Sequence, residues 1–279
     1  MDIFLYNDNS TELTAHHRPF TFNCKVVKNP HSADKILIKP ADYMRFVSDH
    51  NYKPYWDKTV VYANDDNPNY LLRENKIKKL LAQPLVNKKT LDMYNAMTIP
   101  LVMTDHLKVH LDEEFLQQCR DQEKIYDYYF VGQFYGKREV LRNFNQGNSI
   151  IKQTSSIYGF SDEDKLNAIK AFLMELGKAK FGFAPRGVGS NSFRLYECLM
   201  VGTIPIATDV IEYPFTDDVN WDDIAIRGSL DNLNQLIDKC DNIDYDNCRN
   251  KGIKFWEDNC KMDVMFEKIK NELCLKESE

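Results

Sequence analysis

A loop of glycine, serine and arginine carries the residue types that bind a phosphorylated ligand. It spans 185–192 and reads Pro-Arg-Gly-Val-Gly-Ser-Asn-Ser, between an apolar run at 180–184 and an apolar helical pattern at 193–201. Glycine lets the backbone approach a phosphate closely, and the N–H groups that start the next helix attract anions. Because ligands of open α/β sheets bind beyond the carboxyl ends of the strands, the sequence predicts its ligand site at this loop.

The side chains around the loop indicate which part of a ligand each can hold. Arg186 and Arg194 flank the turn and can neutralise a diphosphate. Ser190 and Ser192 offer hydroxyl groups or a cap for the helix. Glu197 lies three residues after Arg194, and its carboxylate can accept two hydrogen bonds from a ribose diol. The same spacing allows a plain ion pair within the helix, so both interpretations stay open at this point.

A dinucleotide site is a second hypothesis for the loop. Gly187 and Gly189 follow a predicted strand and open a helix, and Asp209 ends the next predicted strand 22 residues after Gly187. That is near the spacing of a ribose-binding acid. However, Ser192 stands where the third glycine of that motif belongs, and the loop follows at least two strands instead of the first.

The elements that position this loop come from two differently built halves. The first 131 residues contain no glycine, whereas all six histidines lie within the first 110. Strand patterns alternate with helical patterns in both halves, which predicts an α/β fold with parallel sheets and helices on their faces. The predicted strands cover 3–6, 35–38, 59–62, 99–103, 128–131, 180–184, 203–207 and 224–226, and the predicted helices cover 41–49, 69–82, 137–145, 161–176, 193–201 and 230–239.

A polar stretch at 107–127 predicts the connection between the two halves. We expect an N-terminal domain at 1–120, a C-terminal domain at 121–254, and a segment at 255–279 that packs back across both domains. The amphipathic pattern of that last segment predicts a single helix from Phe255 to Leu273. The glycine-rich loop therefore belongs to the second domain.

Composition excludes several classes of protein. The chain has 279 residues, enough for two domains, and a net charge of −6, which disfavours broad contact with nucleic acid or anionic lipid. No apolar run approaches the roughly 18 residues that cross a bilayer, and the first residues lack a signal-peptide pattern, so we expect a soluble cytoplasmic protein. Seven cysteines without a C-x-x-C pair favour reduced thiols over a zinc ribbon or a disulfide framework.

Three segments around the loop form a longer composite pattern. They read Phe-Gly-Phe-Ala-Pro-Arg-Gly at 181–187, Ser-Phe-Arg-Leu-Tyr-Glu at 192–197 and Gly-Thr-Ile-Pro-Ile at 202–206. This pattern resembles that of the exostosin-type glycosyltransferases, family 47, and it is far more specific than a lone glycine motif. Weaker similarities extend over much of the chain and lie at 33–40, 54–56, 65–66 and 130–132, together with Arg138.

The resemblance implies a GT-B architecture, in which two Rossmann-like domains face a cleft. A UDP-sugar would lie on the second domain and the acceptor mostly on the first. The resemblance implies that Arg186 and Arg194 hold the diphosphate and that Glu197 holds the ribose. It also implies that Arg138 makes a further phosphate contact. The expected donor-binding residues are Arg138, Arg186, Gly187, Ser190, Ser192, Arg194 and Glu197. Members of the family generally invert the anomeric centre without a bound metal, so no cofactor is expected.

An inverting transfer needs a base on the acceptor hydroxyl and positive charge on the leaving diphosphate. Asp66 is the first candidate for the base and Asp65 the second, because both follow a predicted strand of the first half. A solvated turn before Asn67 is an equal alternative for the pair. His16 and His17 are the next candidates. The Gly-x-Asp-His sequence usual in the family is missing here, which leaves the acceptor side undefined.

Two further patterns allow a metal site. His106 and His110 have i, i+4 spacing and could be joined by Asp105 or Asp112, but nothing completes their ligand set. Acidic pairs such as Asp65–Asp66 and Asp244–Asp246 are similar to the metal-binding acids of GT-A enzymes. Because the chain has 42 Asp and Glu residues, we interpret these pairs as solvated surface groups.

The sequence therefore predicts an inverting transfer of a sugar from a UDP-sugar to a hydroxyl group of an oligosaccharide or glycan acceptor. Xylose, galactose, glucuronic acid, N-acetylglucosamine and arabinose are all compatible with the resemblance. A non-catalytic glycan-binding scaffold of the same fold is the alternative, and an NAD-dependent oxidoreductase is the third hypothesis. The membrane anchor and stem of animal members have no counterpart here, which favours a soluble bacterial or viral enzyme that needs neither nucleic acid nor membrane insertion.

Overall fold

The chain forms two compact units, each with its own parallel sheet. The computed structural model describes residues 1–6, 24–39, 42–63, 77, 79–82, 96–98, 100, 111–154, 160–187, 191–210, 213–215 and 219–275, with the backbone alone at 63, 79–82, 96–98 and 272–275. One unit comprises Met1–Pro100 and Met262–Glu279, and the other comprises Leu101–Gly187 and Asn191–Lys261. The predicted α/β class, with a parallel sheet in each half, is confirmed.

The described strands and helices follow one another in a regular βα rhythm. The strands are β1 (Asp2–Leu5), β2 (Lys25–Val26), β3 (Lys35–Ile38), β4 (Thr59–Ala63), β5 (Lys79–Ala82), β6 (Ala96–Thr98), β7 (Tyr126–Gly132), β8 (Ser149–Gln153), β9 (Ala179–Pro185), β10 (Ile204–Thr208) and β11 (Ile226–Gly228). The α-helices are α1 (Tyr43–Ser48), α2 (Glu113–Arg120), α3 (Asp162–Gly177), α4 (Phe193–Val201), α5 (Leu233–Asn242), α6 (Tyr245–Asn259) and α7 (Met262–Leu275). Longer 3-10 helices cover His50–Lys58 and Gly136–Asn143.

The first sheet has the order β2-β1-β3-β4-β5-β6, and all its strand pairs are parallel. Alternate residues of its strands point to opposite faces. Ile36 and Ile38 pack with Phe46 of α1 on one face. Leu37 and its neighbours pack on the other face with Met265 and further residues of α7. Both faces of the sheet are therefore covered along β1, β3 and β4, as is typical of parallel sheets.

The second sheet has the order β11-β10-β9-β7-β8, and its strand pairs are also parallel. One face packs on α2, α3, α4 and α6, whose buried residues form one core with Tyr129 and Ala184 of the sheet. The other face, with Phe181 and Phe183, packs on α5 and on the 3-10 helix at Gly136–Asn143. Because β8 and β9 flank β7, the direction of winding reverses at β7.

The boundaries between the units differ from the expected ones. The division falls after Pro100 instead of after residue 120. Helix α2 joins the second unit because Leu116 and Cys119 are buried in the core that α3 and α4 share. The single helix expected from Phe255 to Leu273 is also wrong, since α6 ends at Asn259 and α7 starts at Met262. The packing of 255–279 across both domains stays a prediction.

Most predicted strands and helices are confirmed, with two exceptions in the first half. The helix predicted at 69–82 is wrong at its end, because Lys79–Ala82 pairs with β4 as a strand, and residues 69–76 and 78 lie outside the described residues. A short apolar run of this kind is compatible with both structures until a partner strand is known. The strand expected at 99–103 is replaced by β6 at Ala96–Thr98, and the rest of that prediction, except Pro100, lies outside the described residues.

Within the part of the chain that the structure describes, no helix combines the length and the apolar character needed to cross a membrane.

Candidate functional site

The carboxyl ends of β7 and β9 form the site at which this sheet is expected to bind a ligand. These two strands are neighbours, paired through Tyr129 and Gly182, whereas β8 lies on the far side of β7. Ligands of open α/β sheets bind where the strand order reverses, just outside the carboxyl ends. Strand β9 ends at Pro185, so the predicted loop begins at this switch point.

Helix α4 starts next to the switch point because it packs closely on β9. A Cβ atom at Gly182 would lie 2.6 Å from the Sγ atom of Cys198, so glycine permits this approach. Residues 195–201 of the helix are all buried. Gly202 ends the helix in the left-handed conformation with φ +66°, as the sequence predicts.

Hydrogen bonds anchor both ends of the loop. The N–H of Gly187 donates to the carbonyl of Asn191 (3.0 Å), and the N–H of Arg186 donates to the carbonyl of Thr208 on β10 (3.0 Å). Asn191 is buried, and its side-chain amide donates to the Tyr196 hydroxyl (3.0 Å). These bonds tie the loop to β10 and to α4 on either side of residues 188–190, which lie outside the described residues.

Ser192 occupies the cap position of α4 but does not cap it. Its side chain makes no capping hydrogen bond, and its N–H donates to the Oδ1 atom of Asn191 (2.7 Å). Of the two roles open to Ser192, the side-chain cap does not form, and the role of its hydroxyl in binding a ligand stays a prediction. A helix start without a side-chain cap is the arrangement that receives an anion.

Arg194 and Glu197 form the expected i, i+3 ion pair, with Nε and Oε2 3.3 Å apart. Arg194 also donates from Nη2 to the carbonyl of Val131 at the end of β7 (2.8 Å). Its guanidinium lies 3.9 Å from the ring centroid of Phe172 on α3. The arginine therefore joins α4, β7 and α3 at the switch point.

This ion pair leaves hydrogen-bonding capacity unused. The Nη1 atom of Arg194 and the Oε2 atom of Glu197 are both buried, and neither has a hydrogen-bond partner. Glu197 is only 6% exposed, and its burial raises the pKa of the carboxyl group, an effect that the charge of Arg194 opposes. Because buried polar atoms are nearly always hydrogen-bonded in native proteins, these two atoms point to a ligand.

Arg138 adds a second cation at the same place. Its Nη2 atom donates to the carbonyls of Pro185 (3.0 Å) and Arg186 (2.9 Å), and the guanidinium lies 4.6 Å from the centroid of the Tyr135 ring. Burial, followed by the like charge of Arg194, lowers the pKa of Arg138. Among the described residues, no carboxylate forms an ion pair with Arg138 or with the exposed Arg186. The site is therefore locally positive.

The structure contradicts the dinucleotide hypothesis, because the acid that this hypothesis assigns to the ribose has other partners. Asp209 follows β10 with φ +57°, and its carboxylate accepts from Lys137 Nζ (2.9 Å), Ser229 Oγ (2.8 Å) and the Leu230 N–H (3.2 Å). These three donors occupy the carboxylate. The carboxylate links the residues that follow β10 and β11, and it is therefore not available to bind a ribose.

Several predicted residues lie outside the described part of the chain. They are His16, His17, Asp65, Asp66, Asp105, His106, His110 and Ser190. Two other acids of the metal hypotheses have structural partners: Asp112 caps α2 and Asp244 caps α6. Within the described residues, no three His, Cys, Asp or Glu side chains form a group that could hold a metal. Metal independence stays a prediction.

Sequence patterns do not identify Tyr135, Phe172 or Asn191 as parts of this site. Asn191 carries a local signal, since asparagine just before a helix favours a turn. Tyr135 lies three residues before Arg138 and contacts its guanidinium locally. Phe172 lies on α3, 22 residues before Arg194, and reaches that arginine only because α3 and α4 pack in the same core.

A comparison with protein families gives a match, which covers the site. Residues 109–242 match the sequence profile of the Exostosin GT47 domain. No curated protein sequence matches the chain. Among solved structures, an alpha-glucosyltransferase in complex with UDP-glucose and DNA containing an abasic site is 11% identical, with a TM-score of 0.46 and 98% coverage of both chains.

Two bacterial structures are similarly distant. A mutant of S. aureus TarM, in complex with Fondaparinux, alpha-GlcNAc-glycerol and UDP, is 13% identical, with a TM-score of 0.46 and coverage of 86% of this chain and 56% of that one. A glycosyltransferase from Rickettsia africae ESF-5 is 12% identical, with a TM-score of 0.39 and coverage of 90% and 85%. The expected exclusion of nucleic acid finds no support in these comparisons.

The profile match includes every described residue of the site. It begins just before α2 and ends with α5, so it covers β7, β9, α4 and the loop between them, just under half of the chain. Residues 109–242 are therefore similar in sequence to the Exostosin GT47 domain, as the composite pattern around the loop predicts.

Proposed function

We propose that the chain is an inverting glycosyltransferase that takes its sugar from a UDP-sugar and transfers it to a hydroxyl group of a glycan. The observation that carries this proposal is the buried Arg194–Glu197 pair, which has two polar atoms without hydrogen-bond partners at the uncapped start of α4. The proposed donor-binding residues are Arg138, Arg186, Gly187, Ser190, Ser192, Arg194 and Glu197.

The cations of the site suit the leaving diphosphate. Negative charge grows on the diphosphate as the glycosidic bond to the sugar breaks, and fixed positive groups stabilise that charge. Burial lowers the pKa of Arg138, and the like charge of Arg194 lowers it further, so a bound anion would stabilise the charged form of this arginine. Arg186 and the start of α4 add to the same field. These groups do the work that a divalent ion does elsewhere, and we propose that no metal is needed.

Glu197 suits the nucleoside part of the donor. An ionised carboxylate accepts hydrogen bonds from both hydroxyls of a ribose. Arg194 lies 3.3 Å from Oε2 and favours the ionised form that this role needs. The two side chains would thus hold adjacent parts of one ligand, with the cation on the phosphate side.

Inversion requires one displacement, with a base that deprotonates the acceptor hydroxyl on the face opposite the leaving group. Asp66 is the proposed base, and Asp65 is the alternative. The donated sugar is one of xylose, galactose, glucuronic acid, N-acetylglucosamine or arabinose. A glycan-binding scaffold without catalysis is the second candidate function, and release of UDP in the presence of an acceptor separates the two.

Thermal unfolding with a panel of nucleotides tests the proposal. UDP at about 100 times its dissociation constant should stabilise the protein by roughly 2.7 kcal/mol, whereas NAD should leave the melting temperature unchanged. Arg138→Ala should lose most of the UDP effect. Arg142→Ala is the matched control, because Arg142 lies in the same 3-10 helix and also stacks on a ring, that of Phe134. Stabilisation by NAD and by no uridine nucleotide would refute the assignment.

A further inference from the structure

The second unit has another recess, at the end of its sheet opposite to the donor loop. It has a volume of about 630 Å³. Its walls come from the starts of β7 and β9, from the turn before β8, and from α5 and the first residue of α6. Pockets of this size are common for small ligands. No step of the proposed sugar transfer uses these residues.

Three aromatic rings form the apolar part of the recess. Tyr128 stacks on Phe181 with ring centroids 5.8 Å apart, and Phe181 meets the edge of the Tyr245 ring at 6.1 Å. The Tyr245 hydroxyl is buried and has no hydrogen-bond partner. A ligand that offers a hydrogen bond would therefore satisfy an atom that the protein leaves unsatisfied.

Charged groups form the rim. Asp127 and Lys180 pair at 2.8 Å, and the Asp127 carboxylate also accepts the N–H of Asn148 (2.9 Å). Asp241 is exposed and forms no ion pair with another described residue. The rim thus has two carboxylates and one ammonium group that is already paired, so an anionic ligand is disfavoured.

We propose that this recess binds an uncharged sugar ring of the glycan acceptor or product, away from the site of transfer. A sugar ring has an apolar C–H face for the aromatic side and hydroxyls that donate to Asp241 and reach the free Tyr245 hydroxyl. A fully apolar ligand would leave the charged rim unused, and a phosphorylated ligand would meet net negative charge. The identification of the sugar as part of the glycan rests on the proposed function.

Calorimetric titration with maltotriose and with xylotriose, in excess UDP, tests the site. One trisaccharide should bind, and Tyr245→Phe, which removes only the unsatisfied hydroxyl, should weaken binding by about fivefold or more, as expected for one hydrogen bond. Ile243→Trp should abolish binding by filling the recess, since Ile243 is part of its lining. Tyr126→Phe is the matched control, because the Tyr126 hydroxyl contacts Glu175 instead (3.4 Å).

The outcomes separate this proposal from the proposed function. Absence of binding for both trisaccharides, or binding that both recess variants leave undiminished, overturns the proposal. Thermal unfolding of each variant shows that it is folded, and Tyr245→Phe keeps the ring packing even if Ile243→Trp fails to fold. Trisaccharide binding without UDP binding would support the recess and contradict the proposed function. UDP binding without trisaccharide binding would support the proposed function and contradict the proposal for the recess.

Discussion

At the scale of single residues, the site is defined by polar atoms that the protein does not satisfy by itself. Arg194 has partners in Val131, Phe172 and Glu197, yet one of its nitrogens has none. The ion pair that the sequence left as a plain alternative does form, at 3.3 Å. The ion pair does not use all of the hydrogen-bonding capacity of the two side chains, because the buried Oε2 atom of Glu197 still lacks a hydrogen bond.

Glu197→Gln should weaken UDP binding by roughly 1.5–3 kcal/mol, the worth of a hydrogen bond to a charged group. The same variant should bind 2′,3′-dideoxy-UDP as the parent does, because that analogue lacks the hydroxyls that the carboxylate holds. Calorimetry of both nucleotides on both proteins measures the difference. Glu257→Gln is the control, since Glu257 belongs to another Arg–Glu pair of the unit, with Arg120. Equal losses for both nucleotides would make Glu197 a structural residue.

At the scale of elements, close approach between helices and strands positions the donor loop. Glycine decides this approach at Gly182, under α4, and at Gly177, where α3 meets α2. Cations close the ends of the same helices: Lys124 Nζ donates to the carbonyls of Gly177 (2.6 Å) and Gly202 (3.0 Å), and Arg249 also donates to Gly202 (3.1 Å). Positive charge at helix C-termini is stabilising.

The Gly177→Ala variant tests whether helix propensity or close packing determines the stability of the protein at this position. Propensity alone predicts that alanine stabilises this helix residue by about 1 kcal/mol. A Cβ atom at Gly177 would lie 2.3 Å from the carbonyl oxygen of Cys119, however, so we expect a loss of about 1–3 kcal/mol from overpacking. Urea unfolding measures the sign. Gly187→Ala is the control, because its nearest neighbour would be 3.5 Å away, and a stabilised Gly177→Ala protein would contradict the packing argument.

The pH dependence of stability tests the buried Lys124. Burial, followed by the charge of Arg249, lowers the pKa of Lys124 to about 7. Between that pH and its unfolded pKa of about 10.4, the unfolded chain binds more protons than the folded one, so the free energy of unfolding should rise with pH. The difference between the parent and Lys124→Gln should grow between pH 7 and pH 9 by up to about 1.4 kcal/mol per unit. A difference that falls with pH would exclude this explanation.

At the scale of the whole molecule, the charge of the site differs in sign from the net charge of the chain. The chain carries a net charge of −6, yet Arg138, Arg186 and Arg194 all lie at the carboxyl ends of β7 and β9, where the glutamate that pairs with Arg194 is Glu197. Net charge therefore describes the surface as a whole and not the ligand of this site. The test of the proposed turnover uses the full chain, because the proposed donor-binding residues belong to one unit and the candidate bases Asp65 and Asp66 to the other.

Turnover of the full chain should survive EDTA and fail in Asp66→Asn. In the proposed reaction the arginines and the start of α4 take the place of a divalent ion at the leaving diphosphate, so chelation should leave the rate unchanged. Asparagine keeps the shape of Asp66 without its basicity, and the rate should fall by about 10²–10⁴-fold while UDP affinity is retained. Release of UDP measures both effects, with Asp65→Asn as the control. Loss in EDTA that manganese restores would show a metal-assisted reaction, and full turnover of Asp66→Asn would exclude it as the base.

The sequence by itself determined the local features of this protein. The loop at 185–192, helix α4 and its end at Gly202 were predictable, because turn residues, helical periodicity and a left-handed cap are properties of consecutive residues. The α/β class was predictable for the same reason, since strands and helices alternate along the chain.

The tertiary structure decided which of these features meet. The pairing of β7 with β9 brings Arg138 to the carbonyls of the loop and Arg194 to the end of β7. The strand at Lys79–Ala82 and the return of α7 to the first sheet also depend on partners far along the chain. Such pairings follow from the burial of both faces of each sheet, and the residues of one segment do not contain that information.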